Sequence, residues 1–296
     1  MYREIVNLLK CPKCSENLCL SIEIEENTEI IEGKLSCKNG HNWVIQHGII
    51  NFASEEQELT NNWTEAYEEF NDEEMDKKIL EGVPQNQKFL VDKAKGYIID
   101  RIYSESNKFI LDIATGRGSL FKEMIKDLKN ESQIICTDLS FTVLKHDRLR
   151  GKEINPDAKV NYVACDATQL PFKDNSIDFA VSFFGIQNML NLAGKGINQV
   201  KRVLKSERMF LDSYIIIKED SDGFTKFKDF CTCNNIMGAE EFTIKTGIEK
   251  AYAIADLPIR NMKNIGESIG EKNELDLIPF EKEWFAMLVV ESCKLV

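Results

Sequence analysis

Phe109-Ile110-Leu111-Asp112-Ile113-Ala114-Thr115-Gly116-Arg117-Gly118-Ser119-Leu120 is the stretch that decides how this chain folds. Phe109, Ile110, Leu111 and Ile113 form a short, nearly continuous apolar run, the pattern of a strand covered on both faces in a parallel sheet. The run gives way at Ala114, Gly116 and Gly118, residues small enough for a backbone to turn tightly and approach a ligand. Ser119 is placed to cap a helix whose apolar positions Leu120, Phe121, Met124, Ile125 and Leu128 recur at helical spacing. Strand, small-residue turn and helix N-terminus make a nucleotide-sized binding edge at the carboxyl end of a sheet. Taken alone, the stretch also fits a tight strand-to-helix turn that binds nothing.

The residues downstream favour the binding edge. Gln133 to Cys136 reads as a second buried strand ending in Asp138-Leu139-Ser140, where an acidic residue can accept both hydroxyls of a ribose. A third strand, Val160 to Ala164, runs into Asp166-Ala167 and then Leu170-Pro171-Phe172. Ser176-Ile177-Asp178-Phe179 leads into a fourth strand, Phe179 to Phe183, which opens at Gly185. This ordered set, spanning roughly Phe109 to Phe210, resembles the class I S-adenosylmethionine-dependent methyltransferases, in their type 11-like branch carrying Asp-Ala-x-x-Leu-Pro-Phe.

The resemblance implies an α/β fold: a doubly wound, mostly parallel seven-stranded sheet of Rossmann-like type. It also implies S-adenosylmethionine as cofactor and assigns roles by position. Asp112 would orient the loop and the amino group of the methionine moiety, while Gly116 and Gly118 would let the backbone come close. Asp138 would accept the ribose hydroxyls, with Leu139 beside it in the cofactor-binding set. Asp166 would accept the adenine amino group and Ala167 would bond the ring through its backbone. Phe183 and Phe184 would line the exit of the fourth strand, where the acceptor meets the methyl group. The family's first loop glycine is Ala114 here, so a negative φ is expected at that position. Methyl transfer asks mainly for alignment of donor and acceptor. No residue stands out as a general base, and His146, on a helix of mixed charge, reads as a surface residue.

Nearer the N-terminus, Cys11-Pro12-Lys13-Cys14 and Cys37-Lys38-Asn39-Gly40-His41 form a Cys-x2-Cys and a Cys-x3-His knuckle. Together they supply the four N/S ligands of a closed, structural zinc site. Such a staple suits a segment of roughly fifty residues, which buries too little apolar surface alone. The arrangement is similar to the amino-terminal zinc module of bacterial ribosomal-RNA guanine-N1 methyltransferases. The loop between the knuckles is longer here and carries Glu23, Glu25, Glu26, Glu29 and Glu32.

Three regions follow: a small zinc-ribbon-like β module over 1–53, an acidic helical linker or lid over 54–104, and a methyltransferase domain over 105–296. From Ala53 to Asp76 the charged residues are all acidic. Trp63, Tyr67 and Phe70 make an aromatic stripe there, with Tyr67 as a candidate lid residue. Helices are expected over about Gln87 to Tyr103, Gly196 to Leu204 and Phe224 to Met237, and strands over Met209 to Ile217 and Trp284 to Glu291. Gly238 to Asp276 has few apolar runs and receives no assignment.

Composition bounds the partners. The formal net charge of −12 argues against a surface that seeks polyanions. No apolar run approaches the roughly 20 residues of a membrane span, and Met1 to Lys10 lacks the apolar core of a secretory signal. Nine cysteines then point to metal ligation or buried thiols, and a cytoplasmic location is expected. A small-molecule acceptor is favoured over RNA by charge. The alternatives are an rRNA guanine-N1 methyltransferase, or a non-catalytic zinc-bearing scaffold for a partner, against which the intact Asp112, Asp138 and Asp166 count.

Overall fold

The computed structural model describes residues 1–52, 64, 74, 77, 81–128, 131–273 and 276–295. The stripe of Trp63, Tyr67 and Phe70, with Tyr67 as lid residue, lies outside the described residues. The chain divides into two compact units. The first holds Met1–Glu69, Ser106–Val181 and Arg202–Lys205; the second holds Phe70–Glu105, Ser182–Lys201 and Ser206–Val296.

The first unit opens with β1 (Leu18–Glu26), β2 (Glu29–Cys37), β3 (Asn42–Gln46) and β4 (Ile49–Asn51), each antiparallel to the next. The binding-edge strands follow as β5 (Phe109–Asp112), β6 (Gln133–Asp138), β7 (Val160–Ala164) and β8 (Ile177–Phe183). β7 pairs with β6, β6 with β5 and β5 with β8, all parallel. Every residue of β5, β6 and β7 is buried, which is why their sequences are mostly apolar and do not alternate. The N-terminal strands are continuous with this sheet, because β4 pairs parallel with β7, Ile49 opposite Tyr162 and Asn51 opposite Ala164.

The first chain residues are woven into the same edge. Tyr2 donates its N–H to Asn161 Oδ1 at 2.8 Å, and the Asn161 amide donates to Gln133 Oε1 at 3.0 Å. Met1, Ile5 and Leu9 are fully buried beside them.

After the glycine turn the chain winds directly. Lys122 N–H donates to Gly118 O, and both Glu123 and Met124 donate to Leu120 O. The helix Phe121–Met124 therefore has Leu120 at its N-cap with no side-chain cap, and the wind relaxes into a 3-10 turn over Ile125–Asp127. Ser119 does not cap this helix as expected: the turn begins one residue earlier, and Ser119 points outward from within it, exposed.

The second unit carries the helix Gln85–Tyr103 and three antiparallel strands in the order β9 (Leu204–Ile217), β11 (Trp284–Cys293), β10 (Ile259–Ile269). Four parallel strands thus belong to the first unit and three antiparallel ones to the second. The helix Asp222–Cys233 ends four residues before the expected Met237, and the unassigned stretch holds the helix Lys245–Ile254 and β10. β10 was hidden because Ile265 is its only buried residue, among Arg260, Asn261, Lys263, Asn264 and Glu267. Gly266 lets Leu90 lie on β10, since a Cβ there would meet Leu90 Cδ2 at 2.5 Å.

One buried ion cluster ties the N-terminal strands to the helix Phe141–Ile154. Glu29 accepts from the Met1 ammonium (3.4 Å), Arg148 (2.9 Å) and Lys152 (2.9 Å), with its side chain 8% exposed. Removing this acceptor leaves the mostly buried Arg148 guanidinium without its charge partner, a change that typically costs about 3–5 kcal/mol. Glu29→Ala is expected to lower unfolding stability by that amount in urea titration, and Glu29→Gln by less.

Candidate cofactor and metal sites

The register of the parallel strands sets three acidic residues side by side at one sheet edge. Asp112 ends β5 opposite Cys136, Asp138 ends β6 opposite Ala164, and Asp166 follows β7 two residues on. Asp112 and Asp138 are buried behind the edge, whereas Ala114, Gly116, Leu139, Asp166 and Ala167 are partly exposed along it.

The loop between β5 and the following helix is left-handed at alternate residues, with φ of 51° at Ala114, 56° at Gly116 and 64° at Gly118. The expectation of a negative φ at Ala114 is thus overturned: the position demands the glycine conformation and an alanine occupies it. The cause is local, because Ile113 N–H must reach Val181 O while Thr115 N–H reaches Thr137 O, both at 2.9 Å. Those two bonds pull the backbone to opposite neighbouring strands within three residues, and Ala114 takes up the twist.

Asp138 holds the loop rather than standing open beside it. Its Oδ2 accepts the Gly116 N–H at 3.0 Å and its Oδ1 accepts the Ser140 N–H at 2.9 Å. Asp166 caps the short turn Ala167–Gln169 by accepting the Thr168 N–H at 2.7 Å.

Asp112 is fully enclosed. Its Oδ2 accepts the Thr115 hydroxyl at 2.9 Å, and its Oδ1 has no partner among the described residues. Burial pushes its carboxyl up to about 7, against the Thr115 bond and with the Asp138 charge acting the same way. An orphaned buried carboxylate oxygen beneath a glycine loop fits a ligand that brings a cation or donor to that point, as the methionine ammonium would.

Sequence reading missed Asp147, on the helix Phe141–Ile154. Both its oxygens are buried without partners among the described residues, and a Cβ on Gly118 would meet its Oδ1 at 2.8 Å. Burial, then the Asp138 charge, raises its carboxyl well above the usual range. The helical spacing Val143, Leu144, Asp147, Arg150, Gly151 put it on the buried face, so the signal was present. Phe183 belongs to the second unit, where its ring lies 4.5 Å from Phe184 and under the Lys95 ammonium at 6.0 Å.

The N-terminal knuckles converge. The ligand atoms of Cys11, Cys14, Cys37 and His41 all lie within 4.8 Å of one another. His41 Nδ1 is 3.5 Å from Cys11 Sγ and 3.4 Å from Cys37 Sγ, and Cys14 Sγ is 3.7 Å from Cys37 Sγ. A tetrahedral ion with Zn–S bonds of about 2.3 Å has ligand–ligand edges of about 3.8 Å, so the donor set fits zinc. Gly40, at φ 83°, makes the second knuckle turn, and its N–H returns to Cys37 O at 3.0 Å. The Glu16 N–H, foremost, lowers the Cys14 thiol to about 6, toward the thiolate a metal requires.

Comparison with known proteins agrees with this geometry. Residues 110–207 match a family model described as a methyltransferase domain. The chain is 30% identical over 108 residues to the ubiquinone/menaquinone biosynthesis C-methyltransferase UbiE of Rickettsia prowazekii, covering 36% of this chain and 43% of that one. The protein of the same name from Idiomarina loihiensis is 34% identical over 113 residues, or 38% and 44% of the two chains. The chain thus spans under half the length of these relatives. Among solved structures, geranyl diphosphate C-methyltransferase from Streptomyces coelicolor A3(2) superposes with a TM-score of 0.52 at 11% identity, covering 69% of this chain and 77% of that one. An S-adenosylmethionine-dependent methyltransferase from Methanosarcina mazei gives 0.51 at 15%, covering 67% and 98%. The fold is that of the class I methyltransferases. Among the described residues no helix is long and apolar enough to cross a membrane.

Two outcomes are expected. A non-glycine residue in the left-handed region costs roughly 1–2 kcal/mol, and glycine returns about half of that through the unfolded chain. Ala114→Gly should therefore raise stability by about 0.5–1 kcal/mol in urea titration. For Asp112 the folded carboxyl keeps its proton up to about 7, whereas the unfolded one loses it near 3.9. Its contribution to stability consequently falls as pH rises through that window, by at most about 1.4 kcal/mol per unit. Asp112→Asn should remove this part of the slope when unfolding midpoints are compared at about pH 5 and about pH 7.

Proposed function

We propose that the chain is an S-adenosylmethionine-dependent methyltransferase acting on a small molecule. The observation that carries this reading is the meeting of Asp112, Asp138 and Asp166 around a left-handed glycine loop at the carboxyl ends of adjacent parallel strands. The matched methyltransferase domain supports it, as do relatives named for C-methylation in ubiquinone and menaquinone biosynthesis.

When bound, the cofactor supplies a methyl group on a sulfonium, open to direct displacement by a nucleophile. The work left to this chain is binding and alignment. Asp112 Oδ1 would take the ammonium of the methionine moiety, and Gly116 and Gly118 keep the loop free of side chains. Asp138 would accept the ribose hydroxyls, with Leu139 alongside. Asp166 accepts the adenine amino group and Ala167 offers its backbone to the ring. Phe183 and Phe184 supply apolar surface for the acceptor. In this reading residues 1–53 carry a structural zinc on Cys11, Cys14, Cys37 and His41, residues 54–104 are the acidic linker or lid, and residues 105–296 are the transferase domain.

The converged metal knuckle favours a second reading, a ribosomal-RNA guanine-N1 methyltransferase, whose acceptor needs clustered Lys and Arg along its path. The net charge of −12 and the wholly acidic run from Ala53 to Asp76 weigh against it.

A labelled-methyl assay separates the readings. Incorporation is expected into a deproteinised small-molecule extract and not into total RNA, and saturable labelling of one base in RNA would reverse the preference. Asp138→Ala should weaken cofactor binding, measured by calorimetry, by at least about 1.5–3 kcal/mol, the range for hydrogen bonds to a charged group. Unchanged affinity would move the cofactor elsewhere.

A further inference from the structure

The loop that follows β7 and carries Asp166 and Ala167 is gripped from two sides by residues that the cofactor reading leaves without a role. On one side stands the N-terminal segment. Leu9 forms an antiparallel bridge with Phe172, Lys10 N–H donates to Pro171 O at 2.9 Å, and Lys173 N–H donates to Leu8 O at 2.7 Å. The Lys10 ammonium also pairs with Asp174 at 3.4 Å. On the other side Arg202 donates to Leu170 O at 2.7 Å, to Phe172 O at 2.6 Å and to Asp174 Oδ1 at 2.8 Å.

The first of these grips is continuous with the metal knuckle. Lys10 precedes Cys11 in the chain and bridges to Asn17, Cys11 N–H donates to Glu16 O at 2.8 Å, and Ser15 N–H returns to Cys11 O at 2.7 Å. Leu8–Lys10 therefore lies between a four-ligand cluster on one flank and the Leu170–Asp174 loop on the other. All of these residues belong to the first compact unit.

We propose that metal occupancy of Cys11, Cys14, Cys37 and His41 sets the affinity of the cofactor edge, by holding Leu8–Lys10 as a clamp on the loop that presents Asp166 and Ala167. The proposal rests on the cofactor reading above. The four ligand atoms crowd within 4.8 Å of one another, and an ion shared among them is what would fix four side chains from two separate turns at that spacing. Stripping the metal loosens the Cys11–Cys14 turn, then the Lys10–Asn17 bridge, then the ribbon formed with Pro171–Lys173. A ligand that needs this loop must then pay to order it, and fixing even one residue's backbone corresponds to about tenfold in affinity. Arg202 retains its grip, so binding is weakened rather than abolished.

The test uses the full chain, loaded to about one zinc per chain as four-ligand sites require, and the same protein after dialysis against a chelator. S-adenosylhomocysteine is titrated into both by calorimetry, and amide hydrogen exchange is followed in both. The expected result is about tenfold weaker binding after stripping. Faster exchange should be confined to residues 8–17, 37–41 and 166–174, protection in the helix Phe141–Ile154 should stay unchanged, and added zinc should restore both readouts. Arg202→Lys provides the second handle, because it loosens the same loop with the metal site intact. It should weaken binding while metal content stays at one equivalent. Equal affinity with and without metal overturns the proposal, and so does unchanged exchange over 166–174. Loss of protection throughout the first unit overturns it too, because the metal would then hold the fold and not the loop. Failure of the loaded chain to bind S-adenosylhomocysteine sinks the cofactor reading instead, whereas the exchange comparison still decides the coupling.

Discussion

Two backbone N–H groups held by one buried carboxylate organise the candidate site. Asp138 accepts from Gly116 on the loop after β5 and from Ser140 at the head of the next helix. Hydrogen bonds to an ionised acceptor are roughly twice as strong as neutral ones, and burial strengthens them further. Ser140 passes the constraint on: its hydroxyl accepts the Val143 N–H and receives the Thr64 hydroxyl at 2.8 Å. Asp147, further along the same helix, leaves room at Gly118 for no side chain, since a Cβ there would meet its Oδ1 at 2.8 Å. The loop is caught between a strand end and a helix face, and this confinement is what sustains three left-handed residues in five, a conformation that would relax in an isolated turn.

That confinement brings acids together where solvent cannot screen them. Asp112, Asp138 and Asp147 interact with one another, and burial holds the protons on Asp112 and Asp147. A free chain gives up stability to keep such a cluster, and a cation entering at the loop relieves it.

The parts of this molecule that sequence exposed are those in which a side chain carries the signal. β5 to β8 were readable because strands buried on both faces are mostly apolar, and the candidate metal ligands because thiols and an imidazole at fixed spacing have few other uses. Asp147 was readable in principle from helical spacing. What stayed hidden depends on main-chain atoms of distant segments: the pairing of β4 with β7, and of Leu8–Lys10 with Pro171–Lys173, needs only N–H and C=O groups, which every residue has. Ala114 misled for a related reason, since its φ is imposed by bonds to two neighbouring strands and not by its own side chain. β10 was invisible because a strand at the margin of its unit, with one face in water, keeps almost no apolar pattern.

The pairing of β4 with β7 also bears on how the protein stays dispersed. A parallel sheet ending at β7 would present a largely apolar strand with unpaired N–H and C=O groups, a template for adding strands from another chain. β4, β3 and β2 cover it in turn and move the open margin outward to β1, whose Glu23, Glu25 and Glu26 are exposed. Two such margins meeting would bring like charges into register across the gap. The acidic stretch between the two knuckles thus lies along the open margin of the sheet, where like charge disfavours edge-to-edge pairing.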